Sequence, residues 1–243
     1  MDKYEKSVDI RYSEMDCKLV LKPSALLQFL QDLASYNAES LDFGYSYIIK
    51  HNLAWFLLKY HIEFDDYPEG LYEITIQTEP RGYNKLFAFR DFTVLHKGRT
   101  IGRAVSTWCL VDLNTKSMAN ISDVLEGNPH MVPHQKREGE LSYGKIRLPE
   151  TFDKEQVFDI RFDDLDVNQH ANNVNYIVWA LETLDFDFRL NHKIKVLDMV
   201  FKKEIKYGSK VLSQVKVEGN TTIHVLKNAE TEEELCLVKA EWQ

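Results

Sequence analysis

A chain of 243 residues that is 44% hydrophobic, 12% aromatic and 28% charged can bury a sizeable core, which excludes a disordered tail. Its 38 acidic residues against 30 lysines and arginines leave a net charge of -8, the wrong sign for gripping a polynucleotide through its phosphates. No run of apolar residues approaches the ~18 that a membrane span needs, and the opening MDKYEKSVDI lacks the apolar core of a signal peptide. The expected setting is therefore the cytoplasm, with neither nucleic acid nor membrane as partner. Cys17, Cys109 and Cys236 are odd in number, far apart and not in CxxC spacing, a pattern that fits reduced thiols rather than a disulfide frame or a zinc site.

The chain begins with a short alternating strand leading into Asp9-Ile10-Arg11-Tyr12-Ser13-Glu14-Met15-Asp16. That segment lines up without gaps on Asp159-Ile160-Arg161-Phe162-Asp163-Asp164-Leu165-Asp166, with four positions identical and three conservatively exchanged. The offset of 150 also places Phe29 on Trp179 and Asp32 on Glu182; later it shrinks, pairing Gly70 with Gly208 and Trp108 with Trp242. The repeat spans whole domains. In the first copy Leu26, Phe29, Leu30, Leu33, Ala34 and Asn37 follow helical spacing, and Pro23 and Ser24 suit the start of that helix. Strand-like runs follow, among them ITIQT, LFAFRDFTVL and RAVSTWCLVDL.

Residues 114–155 hold Pro129, Pro133, Pro149 and the charged stretch QKREGE, and read as a linker between a first domain, 1–113, and a second, 156–243. In the second copy an Asn-rich turn, Asn168 to Asn175, precedes a helix whose face carries Tyr176, Trp179, Ala180, Thr183 and Leu184, and strands follow again. One helix and about four strands per copy predict an α+β fold, with two antiparallel sheets each wrapped around a central helix: a tandem, or double, hot-dog. The chain would then hold both halves of a pseudo-dimer, and a homodimer of the whole chain stays open.

Chemistry concentrates at Asp166-Val167-Asn168-Gln169-His170. An aspartate, an amide and an imidazole at i, i+2 and i+4, in a turn entering a helix, can share one pocket beside free backbone N–H groups, which suits an oxyanion. Asp and Asn are also ordinary turn and N-cap residues, and His170 could simply be exposed. The first copy keeps Asp16 but has Lys18 and Val20 at the other two places, so this fold does not require an amide and an imidazole there.

DLDVNQHANNVNYIVWALE, with Trp179 and Glu182 on the helix, resembles the signature of the acyl-acyl carrier protein (ACP) thioesterases, the double hot-dog enzymes of plant plastids and many bacteria. RYSEMD and WFLLKYHIEF extend the resemblance into the first half. It implies that Asp166, Asn168 and His170 are functional and that a glutamate on a following strand completes the site. Within MVFKKEIKYGS that acid is Glu204, with Asp66 expected as its first-copy counterpart. Plant members carry a cysteine next to this glutamate; here the residue is Ile205, so a Cys–His nucleophile is unavailable there.

Hydrolysis by water needs a base, oxyanion donors and a dry acyl slot. Glu204 is the expected base, with His170 and Asp166 positioning it and the water in roles that could be exchanged, and with Asn168 and backbone N–H groups polarising the carbonyl. No cofactor or metal is expected; His130 and His134, at i and i+4, are weak metal candidates, and a site of Asp166, His170 and Glu204 is conceivable but not needed. By resemblance, the reaction releases free fatty acid from ACP and the first half forms the acyl slot. An acyl-CoA thioesterase, a hot-dog hydratase and a non-catalytic acyl-thioester-binding module are the alternatives. Lys193, Lys195, Lys202, Lys203, Lys206, Lys210 and Lys216 stand against only Asp198 and Glu204 in their stretch. Some of these, with Lys136, Arg137, Lys145 or Arg147, are the expected docking face for the acidic carrier, or else the lysines form a solvated strand face.

Overall fold

In a computed structural model, described over residues 3–68 and 72–243, the two copies take the same path. The first half contains β1 (Tyr4–Asp9), α1 (Pro23–Ser40), α2 (Tyr45–Lys50), β2 (Leu53–Phe64), β3 (Glu73–Tyr83), β4 (Phe87–His96), β5 (Arg99–Asp112), β6 (Ser117–Met118) and α3 (Ile121–Val124). The second contains β7 (Lys154–Asp159), α4 (Asn173–Glu182), α5 (Phe186–Asn191), β8 (Ile194–Phe201), β9 (Lys210–Glu218), β10 (Thr221–Asn228) and β11 (Glu234–Trp242). Gly70, matched above to Gly208, lies outside the described residues.

The strands order as β1-β3-β4-β5-β2-β8-β11-β10-β9-β7, an arrangement that reads the same from either end once second-half strands are matched to first-half ones. The two antiparallel sheets therefore join edge to edge, through a ladder of five pairs running from Lys59↔Val200 to Glu63↔Val196. This seam is the pseudo-two-fold axis. At its centre the buried His61 directs Nδ1 at Asp198 Oδ1, 2.8 Å away, and Nε2 at Glu63 Oε1, 3.3 Å away. Burial opposes charge on this imidazole, but the two carboxylates outweigh it and hold its pKa above the usual histidine value.

Helices α1 and α4 are each held by an apolar face. In α1, Leu26, Leu27, Leu30, Leu33, Ala34 and Ala38 are buried, and Pro23 occupies the first turn, where its missing N–H costs nothing. In α4, Tyr176, Ile177, Trp179, Ala180 and Leu181 are buried, and the Asn172 side chain caps the helix by accepting from Val174 N–H. The helical face expected to run through Thr183 and Leu184 is cut short. Thr183 Oγ1 lies 3.0 Å from Trp179 O and 2.8 Å from Ser213 Oγ, and the chain turns into α5.

Within 114–155, β6 hairpins back on β5, and Ile121, Leu125 and Met131 are buried against Ala38, Phe43 and Leu110. Residues 132–134 run beside β3, with Tyr83 N–H donating to Val132 O and His134 N–H to Tyr83 O. Gly82, at φ +100°, permits that approach, since a Cβ there would sit 2.4 Å from Val132 O.

Candidate active site

The turn at Asp166 is built by its own carboxylate. Oδ1 accepts from the N–H groups of Asn168 (2.8 Å) and His170 (3.2 Å), Asp166 N–H donates to His170 O (2.8 Å), and Gln169 adopts φ 64°. Asp16 does the same in the first copy, accepting from Lys18 (2.8 Å) and Val20 (3.1 Å) around Leu19 at φ 59°. Aspartate is thus a turn former in both halves, which explains why it persists where the amide and imidazole do not.

The turn is tied to the chain leaving β8. Ala171 N–H donates to Ile205 O (2.9 Å), His170 bridges to Lys206, and Tyr176 Oη donates to Lys203 O (3.3 Å). These contacts bring the partly buried His170 to Glu204, with Nδ1 3.3 Å from Oε2. The pair is close but not aligned as a hydrogen bond, and Nδ1 is buried without another partner among the described residues. Partial burial raises the Glu204 pKa above the ordinary carboxylate range; Asp166 adds to the rise, and His170 and Lys206 oppose it.

These groups face a cavity of about 340 Å³ that opens where β2 and β8 part company. Asp166, Asn168, His170 and Glu204 line one side, so the structure brings together all four residues expected from the sequence. The opposite wall is Ala54 to Leu58 of β2, from the other half of the chain. Sequence reasoning missed that wall, as it missed Asn173 and Tyr176 in the lining. Strand alternation marks Ala54–Leu58 as sheet, and nothing local announces which sheet edge it will face.

Register corrects one expectation. Asp65 and Asp66 N–H groups both donate to Ile101 O, as those of Lys202 and Lys203 both donate to Leu235 O. Lys203 is therefore the counterpart of Asp66, and Tyr67, one residue on, is the counterpart of Glu204. Asp66 instead pairs with Arg99. Sequence similarity is almost unchanged by a one-residue slip in the offset; backbone hydrogen bonds do not tolerate the slip.

A second, smaller cavity of about 70 Å³ lies in the first half between α1 and the sheet, lined by Ala34, Ala38, Phe43, Ala88 and Trp108. Trp55 lines both this cavity and the cleft. At the cavity's polar end Arg90 is buried, with Nη1 donating to Asn37 Oδ1 (2.6 Å) and Thr78 Oγ1 (3.1 Å), and burial pulls its guanidinium down to about 10. In the second half Phe188 of α5 packs edge-on against the matching tryptophan, Trp242, centroids 5.3 Å apart.

Of the expected docking lysines, Lys202 and Lys203 line the cleft and pair with Glu234 and Glu233. Lys210 and Lys216 pair with Asp159 and Asp153 on the β7–β9 side. The thiols of Cys109 and Cys236 are buried and their pKa values pushed up, that of Cys109 to about 11; Cys17 is exposed. Among the described residues no group of three or more His, Cys, Asp or Glu is placed to hold a metal ion. Among the described residues no helix is long and apolar enough to cross a membrane.

The acyl-ACP thioesterase N-terminal domain family matches residues 1–126, and the corresponding C-terminal domain family matches residues 149–243. Chloroplastic oleoyl-acyl carrier protein thioesterase 2 of Arabidopsis thaliana is 22% identical over 99% of this chain and 76% of its own length. The chain spans less than two thirds of several other chloroplastic relatives. An acyl-ACP thioesterase from Bacteroides thetaiotaomicron superposes with a TM-score of 0.87 at 22% identity, over 98% of this chain and 97% of its own. The 12:0-ACP thioesterase of Umbellularia californica gives 0.87 at 22% identity over 99% and 97%. With the double hot-dog architecture and family matches over both halves, the chain belongs to the acyl-ACP thioesterase family and is a thioester hydrolase.

Proposed function

We propose that this hydrolase cleaves fatty acyl thioesters of ACP, with Glu204 as the general base. Glu204 takes a proton from water, and the resulting hydroxide attacks the thioester carbonyl carbon. The Asn168 amide and the N–H of Asn173, which lines the cleft at the start of α4, stabilise the tetrahedral oxyanion. The intermediate collapses with rupture of the C–S bond; the departing sulfur regains the proton from Glu204, leaving free fatty acid and the carrier's thiol. His170 orients Glu204, and Asp166 holds the turn that carries both His170 and Asn168. The observation supporting this reading is the approach of His170 to Glu204, at 3.3 Å, on one side of a cleft whose far wall comes from the other half.

The acyl chain would run past Trp55 into the first-half cavity, leaving residues 1–113 to select its length, residues 156–243 to carry the chemistry and 114–155 to connect them. Lys202, Lys203 and Lys206 flank Glu204 and are the basic groups best placed to meet an acidic carrier. The three unpaired cysteines support a reducing, cytoplasmic setting. Incubation with acyl-ACP and acyl-CoA, following free thiol, tests the reading. Thiol release from ACP with kcat/KM well above that from CoA is expected; release from CoA alone would reassign the substrate, and none from either would overturn it.

A further inference from the structure

The β2–β8 ladder has two ends. One opens into the candidate active site; the other, beyond Glu63↔Val196, opens into a cavity of about 370 Å³, as large as the first and related to it by the pseudo-two-fold. Its lining repeats the active site position for position with the chemistry exchanged: Asp16 for Asp166, Lys18 for Asn168, Val20 for His170, and Tyr67 for Glu204. Tyr67 Oη is spent on Ile194 O. This end has lost base, imidazole and amide, yet it has not been filled.

The exchanges share a sign. Lys18, Lys22, Arg189 and Lys193 line the cavity against Asp16 and Glu182, a local excess of cations in a chain of net charge -8. Glu182 already pairs with Arg189. Lys18 donates to the carbonyls of Arg189 and His192, both at 2.6 Å, and its nearest carboxylate oxygen, Asp16 Oδ2, stands off at 3.9 Å. Burial lowers the Lys18 pKa, as expected for an ammonium short of counter-charge. Apolar side chains make up most of the remaining wall. Leu181, Leu184 and Trp242 form its base, while Phe186 and Leu190 of α5 stand exposed at the mouth, 69% and 42% accessible. Cations beside exposed apolar side chains are complementary to a carboxylate with an alkyl tail, and the volume lies in the range of small-molecule sites.

We propose that this cavity is a binding site for a long-chain carboxylate, the free fatty acid class, with its head at Lys18 and its tail over Leu184 and Leu190. That this ligand class coincides with the reaction product rests on the function proposed above; the site itself does not.

Cys17 supplies a reporter, because it lines this cavity and is exposed whereas Cys109 and Cys236 are buried. The rate of Cys17 alkylation by iodoacetamide is measured on the full chain with sodium dodecanoate, with dodecanol and with coenzyme A. Saturable slowing by dodecanoate, by about tenfold more than by dodecanol, is expected. Lys18→Met should abolish the slowing, and Leu190→Glu, a change at an exposed position that leaves the core alone, should weaken it about tenfold. Glu204→Gln should leave the slowing intact, which separates this site from the active-site cleft. Absence of slowing, equal slowing by dodecanol, slowing by coenzyme A alone, or loss of slowing in Glu204→Gln would each overturn the proposal. The readout needs no turnover, so an inactive hydrolase could still pass it and an active one could fail.

Discussion

Replacing Ala38 by phenylalanine would set an aromatic ring beside Trp108, as Phe188 is set beside Trp242 in the second half. Ala38 lines the cavity beside Trp108, whereas Phe188 packs edge-on against Trp242, the counterpart of Trp108. If acyl chains end in the cavity of about 70 Å³ beside Ala34 and Ala38, a benzyl group there excludes their last methylenes. Excluding about four methylenes at about 0.8 kcal/mol each removes about 3 kcal/mol of binding, or roughly 200-fold in kcat/KM for chains long enough to reach it. Shorter chains should be hydrolysed as by the parent. Overpacking also costs about 1–3 kcal/mol of stability, so a thermal melt must first show that the variant is folded. The assay is thiol release from acyl-ACPs of graded length, and the expected result is an optimum displaced to shorter chains. A folded variant with the parental profile would refute the reasoning and move the slot elsewhere.

Glu204→Gln keeps the shape but not the basic oxygen, so kcat should fall by about 100- to 10,000-fold, with His170→Ala comparably damaging and the double variant scarcely worse. Because Glu204 must be deprotonated to act and its pKa is raised, kcat/KM should decline on the acid side from above the ordinary carboxylate range. Burial is the main cause of that rise and Asp166 a further one, so Asp166→Asn, which keeps the turn's acceptor oxygen, should move the acid limb to lower pH. Cys17→Ser, Cys109→Ser and Cys236→Ser should retain turnover if folded, and an acyl-enzyme trapped on any of the three would disprove attack by water. His224, buried in β10 with its pKa pulled to about 3, stays neutral in the native state while the unfolded chain protonates near pH 6.5. Stability present above pH 6.5 should be lost as pH falls, by about 2 kcal/mol at pH 5, and urea melts of His224→Leu should lack this component of the slope. Raising salt should increase KM for acyl-ACP more than for a short uncharged thioester if Lys202, Lys203 and Lys206 meet the carrier.

The internal repeat, the helix starts and the turn at Asp166 were legible in the sequence because each rests on local rules. Pro23 opens α1 by its missing N–H, and Asp16 and Asp166 build their turns from hydrogen bonds spanning no more than four residues. The contrast of Lys18 and Val20 with Asn168 and His170 marked the second copy as the half carrying extra chemistry. Glu204 was reached only by resemblance, since by pattern it is one acid among lysines. Tertiary structure decided what depends on register and on the joining of distant strands. The β2–β8 seam made Ala54–Leu58 the wall opposite Glu204. Backbone hydrogen bonds to Ile101 and Leu235 made Tyr67, not Asp66, its counterpart. Packing left a space beside Trp108 at Ala34 and Ala38 and set Phe188 against Trp242 in the other half. Side-chain alternation tells a residue which face of a sheet it occupies, but the neighbour across the strand and the volume left between layers depend on the whole chain at once.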